Sequence, residues 1–180
     1  MIYLFYRCAK PISQAVPALP SNYSLEMWAP GMFRVKPEGI SVFPFTVWWL
    51  FHRLHVFSNR DYGLLVIRQG TRVVHRSVIT PGYLRFPFMA SEDIQVGDTW
   101  TDPEFRGKGL ATLALEAIMR RLDNQDRTCW YVVEADNAPS IRVVEKAGFV
   151  LAGRGVRTRP FGLGLLGQFQ LTDLSSTCSS

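Results

Sequence analysis

The residues best suited to chemistry form one short basic and glycine-rich segment, Arg106-Gly107-Lys108-Gly109-Leu110-Ala111, at the start of a helical pattern. Glycines at positions 107 and 109 let the backbone approach a ligand closely and turn successive N–H groups toward it. The N-terminus of the helix adds partial positive charge, and the Arg106 and Lys108 side chains add formal charge. The segment therefore predicts a binding site for a phosphorylated ligand such as a pyrophosphate.

Other phosphate-binding motifs fit these residues less well. A Walker loop needs glycine at 102 and serine or threonine at 109, but the chain has Asp102 and Gly109 there. A Rossmann fingerprint would run from Gly107 to Thr112 with Glu134 as its acidic residue, and it predicts a nicotinamide-dependent oxidoreductase. That reading lacks the third glycine and follows an antiparallel hairpin. The remaining alternative is a plain strand-to-helix turn with two solvated basic residues.

The elements around this segment alternate between strands and helices. Two β-branched runs, residues 62–68 and 72–79, flank a glycine and predict an antiparallel hairpin. Further strands are predicted over residues 94–101 and 128–134. Between them, apolar residues at helical spacing predict a helix over residues 109–122. The glycine-rich segment therefore joins a strand to a helix, as a phosphate site requires.

A second helix and two final strands complete the predicted fold. The helix is expected over residues 138–147, with Asn137 as N-cap and Gly148 as a left-handed C-cap. The strands are expected at residues 148–151 and 167–172. This order of elements predicts a single α/β domain with a mixed sheet, because its first half is antiparallel.

Two motifs together resemble the GCN5-related N-acetyltransferase (GNAT) superfamily. Its acyl-CoA signature is Arg or Gln, two residues, Gly, one residue, then Gly or Ala, and residues 106–111 match it fully. A second family signature matches from Asn137 to Phe149, at the expected distance downstream. Two motifs in order, each in its structural context, are more specific than either alone. The resemblance covers about residues 62–172 and implies a mixed, splayed sheet flanked by helices.

The resemblance also implies how acetyl-CoA, as cosubstrate, would bind. The pyrophosphate would lie on the loop amides, and the pantetheine would lie in a gap between the strands at residues 94–101 and 128–134. Asn137 would reach the pantetheine, although simple N-capping is its alternative role. The implied cofactor-binding residues are Trp100, Thr101, Arg106, Gly107, Lys108, Gly109, Leu110, Ala111, Asn137 and, as a weaker candidate, Ser140.

The resemblance leaves the proton-transfer groups open. Many family members place a tyrosine four residues before the glycine of the Gly-Phe pair, to protonate the leaving thiolate, and that position is Val144 here. We favour Asp98 as general base, because partial burial in an otherwise uncharged strand segment would raise its pKa. In the alternative interpretation, Asp98 is an outward-facing, solvated residue and His75 has a structural role, so neither is catalytic. The catalytic candidates are Asp98, Glu134 and His75, with Asp93 and Tyr131 as further substitutes.

The acceptor is predicted from aromatic and basic residues that lie outside the two motifs. Residues 1–60 are rich in aromatics and prolines, and we assign them to the acceptor side of the same domain as the core at residues 61–172. Arg76 and Arg85 lie near aromatic side chains and would suit an anionic acceptor. We therefore predict acetyl transfer to a primary amine of a small molecule, such as an amino sugar or a nucleotide-linked amino sugar. A non-catalytic acyl-CoA-binding domain is the alternative.

Composition limits the other classes of function. The net charge of +5 fits a phosphorylated ligand, but the basic residues are scattered, so no nucleic-acid partner is predicted. Three widely spaced cysteines argue against a disulfide framework and a zinc site, and they favour a reducing cytoplasm. The most apolar stretch, residues 42–57, is too short and too charged to span a bilayer, and an interfacial or buried helix is left open there. Residues 173–180 are predicted to be a disordered tail, and a homodimer is left open.

Overall fold

The computed structural model describes residues 1–8, 19–32, 34–40, 45–121, 127–158 and 167–174. These residues form one mixed sheet with helices on both sides. In chain order the elements are β1 (Ile2–Cys8), β2 (Tyr23–Trp28), α1 (Phe45–Arg53), β3 (Gly63–Gln69), β4 (Arg72–Pro81), β5 (Ile94–Thr101), a short 3-10 helix (Pro103–Phe105), α2 (Leu110–Arg121), β6 (Cys129–Glu134), α3 (Ala138–Lys146), β7 (Val150–Arg157) and β8 (Phe169–Leu174).

The strands follow the order β2-β3-β4-β5-β6-β1-β7-β8 across the sheet. Only β5 and β6 pair in parallel, and all the other described neighbours are antiparallel. This arrangement confirms the predicted mixed sheet. It also contains a feature that the sequence pattern did not predict, because the strand nearest the start of the chain, β1, lies between β6 and β7.

The parallel pair is short, and the sheet opens beyond it. Strands β5 and β6 pair only from Ile94 opposite Cys129 to Val96 opposite Tyr131. Further along, β5 stays paired with β4 as far as Thr101, while β6 stays paired with β1. A gap, bounded by residues 97–101 of β5 and 132–134 of β6, therefore opens between the two strands. This gap confirms the splayed sheet that the sequence led us to expect.

The two faces of the sheet carry different layers. Helices α2 and α3 cover one face, here called the helical face, where the main apolar core includes Leu65, Val96 and Ile118. Helix α1 and a cluster of aromatic rings cover the opposite face, here called the aromatic face, around Phe45 and Tyr62. Because side chains alternate along a strand, each strand contributes to both layers. Burying each large apolar side chain contributes about 1.5–3 kcal/mol.

The observed bounds differ little from the predicted ones around the motifs. The helices predicted at residues 109–122 and 138–147 are α2 and α3, and α1 lies within residues 42–57, where the sequence left a helix open. Strand β7 is longer than its prediction. Asp173 and Leu174 form the end of β8, whereas we expected a disordered tail from residue 173. The rest of that tail and the glycine-rich connection at 160–166 lie outside the described residues.

Candidate functional site

The two glycines of the basic loop have backbone conformations that favour glycine. Gly107 and Gly109 have φ values of +76° and +77°, in the left-handed region where a Cβ atom is strained. A Cβ atom built at either position would have no other atom within 4 Å, so the loop faces open space. The glycines therefore serve the shape of the loop and leave its surface accessible to a ligand.

Side chains from β4 and the 3-10 helix fix the start of this loop. Asp102 caps the 3-10 helix, because its carboxylate accepts a hydrogen bond from the Glu104 amide at 3.1 Å. Arg72 donates two hydrogen bonds to the Asp102 carboxylate, at 3.0 and 2.7 Å, and contacts Glu104 at 2.7 Å. The Phe105 ring is buried, with the Lys108 ammonium 4.4 Å from its centre. These contacts hold the loop in place before any ligand binds.

The loop and the start of α2 present positive charge and hydrogen-bond donors. Arg106 is exposed, and its Nε donates to the Thr101 carbonyl at 3.3 Å. The first bond of α2 runs from the Leu113 amide to the Gly109 carbonyl at 3.0 Å. The N–H groups of a first helical turn lack partners within the helix, so they point outward as donors. This arrangement suits a pyrophosphate.

The second motif places Asn137 and Ser140 at the start of α3. The Asn137 side chain accepts a hydrogen bond from the Ser140 amide at 3.2 Å, which makes Asn137 the N-cap. The capping role named as the alternative is thus present. It is compatible with ligand contact, because Asn137 is exposed and an amide side chain also carries donors.

A connected set of polar side chains crosses the helical face beside the gap. We call it the hydroxyl chain; it consists of Thr101, His75, Ser77, Thr99, Tyr131 and Ser140. Each His75 ring nitrogen has a hydroxyl partner, Thr101 at 2.8 Å and Ser77 at 3.1 Å, and Ser77 contacts the Thr99 hydroxyl at 3.3 Å. The Tyr131 hydroxyl lies near those of Thr99 and Ser140, which lower its pKa against the larger, opposite effect of burial. The hydroxyl chain therefore brings polar side chains of β4, β5, β6 and α3 close together beside the gap.

The environment of His75 keeps its ring neutral. The side chain is fully buried, and burial lowers the pKa of His75 from 6.5 to about 4. At neutral pH one ring nitrogen therefore donates and the other accepts within the hydroxyl chain. His75 lies on the helical face, so these contacts support a structural role more than direct proton transfer to an acceptor on the aromatic face.

This buried histidine predicts an acid-sensitive fold. Between pH 6.5 and about 4 the unfolded chain binds a proton that the folded chain excludes, so stability falls as the pH drops. The pKa difference corresponds to about 2 to 3 kcal/mol at pH 4.5. Urea unfolding of wild type and His75→Asn at pH 7 and 4.5 measures this loss, which should be smaller in the variant. An equal loss in both proteins would show that His75 is not the cause.

Asp98 lies where β5 leaves its regular pairing with β4. The register between the strands shifts between Arg76 and Val78, and Asp98 has a φ of +42°. Bulges of this kind redirect a side chain, and strained residues cluster at functional sites. The Asp98 carboxylate is 3.5 Å from the Arg76 guanidinium, and its side chain is 47% exposed. Burial raises the pKa of Asp98, while Arg76 opposes the shift.

A cavity of about 190 Å³ lies on the aromatic face and reaches the gap. Its wall includes Gly97 and Asp98 of β5, Val132 of β6, Trp48 of α1 and Arg85. It therefore touches both strands where they part, on the face opposite the hydroxyl chain. An acceptor amine held in this cavity would lie beside the Asp98 carboxylate.

The remaining catalytic candidates lie elsewhere. Glu134 ends β6, where its carbonyl accepts from the Asn137 amide at 3.0 Å, and it is not among the described residues that line the cavity. Asp93 is buried, and its carboxylate accepts hydrogen bonds from the Trp130 indole at 2.8 Å and the Thr128 amide at 2.9 Å. These bonds give Asp93 a structural role.

Trp100 is expected to contact the pantetheine through its backbone. Its ring, which is 37% exposed, faces the aromatic face and lies 6.0 Å from the Arg76 guanidinium.

Two residues of the hydroxyl chain, Ser77 and Thr99, were not predicted from the sequence. Their signal is a polar residue every second position on a strand face that is otherwise apolar, as in Thr99 and Thr101.

Solved structures share this fold at low sequence identity. A putative acetyltransferase from Novosphingobium aromaticivorans aligns with 85% of this chain and 61% of its own length, at 17% identity and a TM-score of 0.52. A tandem GNAT protein from the clavulanic acid biosynthesis pathway aligns with 83% of this chain and 50% of its own length, at 18% identity and a TM-score of 0.57. A GCN5-related N-acetyltransferase from Sphaerobacter thermophilus aligns with 85% of this chain and 49% of its own length, at 15% identity and a TM-score of 0.56.

The chain thus spans about half to three fifths of the length of these structures. No curated protein matches it by sequence. Within the described part of the chain, no helix is long and apolar enough to cross a membrane. The family model for the acetyltransferase (GNAT) family matches residues 26–149, which is more than half of the 180 residues and includes both motifs. This chain therefore belongs to the GNAT acetyltransferase family.

Proposed function

We propose that this chain transfers an acetyl group from acetyl-CoA to the primary amine of a small molecule, without a covalent enzyme intermediate. The family and the fold support acyl transfer in general, and family members typically use acetyl-CoA. The observation that carries the proposal is the gap between β5 and β6. β5 leads from the gap into the basic loop, and the cavity on the aromatic face opens onto it.

The residues around the gap fit acetyl-CoA. The amides of residues 106–111 would bind the pyrophosphate, with added charge from Arg106 and Lys108. The backbone of Trp100 and Thr101 lies on the edge of β5 that β6 no longer covers, so it can pair with the pantetheine. Asn137 and Ser140 would contact the pantetheine from α3. Bound there, acetyl-CoA supplies an activated thioester, and backbone N–H groups at the opening would stabilise negative charge on its carbonyl oxygen.

Asp98 is our candidate for the general base. An amine is protonated at neutral pH and must lose a proton before it attacks a carbonyl. The Asp98 carboxylate lines the cavity next to the gap, and its raised pKa makes it a better proton acceptor than an ordinary aspartate. Glu134 at the end of β6 is the second candidate, with water as the alternative route for the proton.

Tyr131 is our candidate for the acid that protonates the leaving thiolate. Val144 is fully buried in the core, so the position that carries a tyrosine in many relatives has no donor here. Burial raises the pKa of Tyr131, which keeps its hydroxyl protonated at neutral pH. Its neighbours Thr99 and Ser140 carry hydroxyls that could return a proton to it. His75 acts indirectly, by positioning Thr101 and Ser77.

Arg106→Ala should weaken acetyl-CoA binding about 10- to 100-fold, the range for losing one charge-assisted hydrogen bond. Isothermal titration calorimetry measures the affinity directly. Arg121→Ala is the matched control, because Arg121 is an exposed arginine at the far end of α2, the helix that follows the loop. Equal affinities for wild type and Arg106→Ala would remove Arg106 from the site.

Acetyl-CoA and NAD titrations, followed by an amine screen, test the function as a whole. The proposal expects acetyl-CoA binding, no NAD binding, and release of CoA thiol when an acceptor amine is present. NAD binding without acetyl-CoA binding would favour the oxidoreductase alternative. Acetyl-CoA binding without turnover of any amine would favour the non-catalytic alternative. Free and nucleotide-linked amino sugars belong in the screen, because aromatic cavity walls suit the apolar face of a sugar ring.

A further inference from the structure

We propose that the acceptor carries an anionic group in addition to its amine, and that Arg85 and Tyr83 bind that group in the cavity on the aromatic face. The inference rests on the proposed acyl transfer and adds the chemical class of the acceptor. The shared chemistry is a set of anionic oxygens, supplied by a carboxylate or by a phosphate.

The Arg85 side chain is held in position at the cavity wall. Its guanidinium centre lies 6.0 Å from the centre of the Trp48 ring and 5.8 Å from that of Tyr83. The Phe169 amide donates to the Arg85 carbonyl at 2.9 Å, which ties this loop to β8. A guanidinium packed against two aromatic rings loses less side-chain freedom when it binds an anion than a solvated one does, which favours binding.

A second cation and a hydroxyl lie within electrostatic reach of Arg85. The Arg157 guanidinium is 5.6 Å from the centre of the Phe169 ring, and Phe169 also lines the cavity. Burial lowers the pKa of Arg85, and the charge of Arg157 lowers it further. Burial raises the pKa of Tyr83 to about 12, so its hydroxyl remains a donor at neutral pH. Two guanidinium groups and a hydroxyl donor therefore lie at or near this end of the cavity, and these groups suit an anionic ligand.

The wall formed by β5 has the opposite charge. Asp98 lines the same cavity, with its backbone in the left-handed conformation at the bulge. The cavity, at about 190 Å³, is smaller than the roughly 300–1,000 Å³ of typical ligand sites, so both ends would contact one small molecule. A molecule with an amine at Asp98 and an anion at Arg85 would contact both walls. An amine of the same size without an anionic group would make only the contact with Asp98.

Matched pairs of amines test this selectivity. Glucosamine 6-phosphate and glucosamine differ by a phosphate, while phenylalanine and phenethylamine differ by a carboxylate. Wild type, Arg85→Gln and the control Arg154→Gln are assayed for thiol release with each amine; Arg154 is an exposed arginine on β7 outside the cavity wall. Acetyl-CoA affinity and the melting temperature establish that each variant is folded.

We expect wild type to favour the anionic member of at least one pair by about tenfold or more in kcat/KM. Arg85→Gln should lower kcat/KM for that member by about 10- to 100-fold and change the neutral member less than about threefold. The pair that shows the preference identifies the anion as phosphate or carboxylate. Arg154→Gln should behave like wild type.

Three results would overturn the inference. Equal use of both members of each pair by wild type refutes it and leaves acyl transfer standing; this result needs no variant. A preference that survives unchanged in Arg85→Gln places the anion away from Arg85. Acetyl-CoA binding with no turnover of any amine, in the pairs or in the wider screen, refutes the proposed function itself and this inference with it.

Discussion

Asp98→Asn is expected to lower kcat about 100- to 1,000-fold, within the range that general base catalysis contributes. Acetyl-CoA affinity should stay within about twofold, since Asp98 is outside the loop at residues 106–111 that is proposed to bind the pyrophosphate. Asparagine has the same shape as aspartate and tolerates the positive φ at this position, but it cannot accept the proton. The substitution therefore tests the charge at the bulge with little change to the backbone.

The pH dependence of the rate tests whether Asp98 is the group that accepts the proton from the amine. Asp98 must be deprotonated to act, and burial raises its pKa, so the wild-type rate should fall with acidity at a higher pH than for an ordinary aspartate. Asp98→Asn should lose this acidic limb. The difference in rate between Asp98→Asn and wild type should become smaller at alkaline pH, because more of the amine is already deprotonated in solution. Glu92→Gln is the control, because Glu92 is an exposed carboxylate just before β5. A rate loss below about threefold in Asp98→Asn would exclude Asp98 as the base.

Tyr131→Phe is expected to lower kcat about 100-fold, because it removes the proposed proton donor to the leaving thiolate. Acetyl-CoA affinity should change less than about threefold, since the ring remains. The loss of a buried hydroxyl that lies near Thr99 and Ser140 should cost about 1–2 kcal/mol of stability. Steady-state kinetics with calorimetric binding separates the catalytic effect from the structural one.

A neighbouring tyrosine provides the matched control for this experiment. Tyr6 on β1 lies directly opposite Tyr131 in the sheet, on the helical face. Its hydroxyl donates to the Glu145 carboxylate at 2.9 Å instead of joining the hydroxyl chain. Tyr6→Phe should therefore lower stability while leaving kcat within about threefold. Equal losses of kcat in the two variants would assign the effect to packing and contradict an acid role for Tyr131.

The predictable part of the site is the part whose signals are local. Glycine at positions 107 and 109 and the N-cap at Asn137 follow from neighbouring residues, so the loop and both helices could be placed from sequence. The backbone of Asp98 could not, because the left-handed turn arises from a register shift between two strands. The link from His75 to Tyr131 also depends on strand neighbours that are distant in sequence.

The pocket on the aromatic face was predictable only in composition. Aromatic and basic residues around Arg85 suggested an acceptor side, but the sequence does not show which of them converge. In the structure Tyr83 and Arg85 share a wall with Trp48, which is 35 or more positions earlier in the chain. Such convergence comes from tertiary packing, and no local pattern encodes it.

The position of β1 inside the sheet has a consequence for synthesis on the ribosome. Residues 2–8 are translated before both of their neighbours, β6 and β7, which follow more than 120 residues later. Until β6 has been made, this apolar segment has neither of its partner strands and stays exposed to chaperones or to aggregation. The sheet can therefore close around β1 only after β6 and β7 have been translated, well after the basic loop at residues 106–111 has been made.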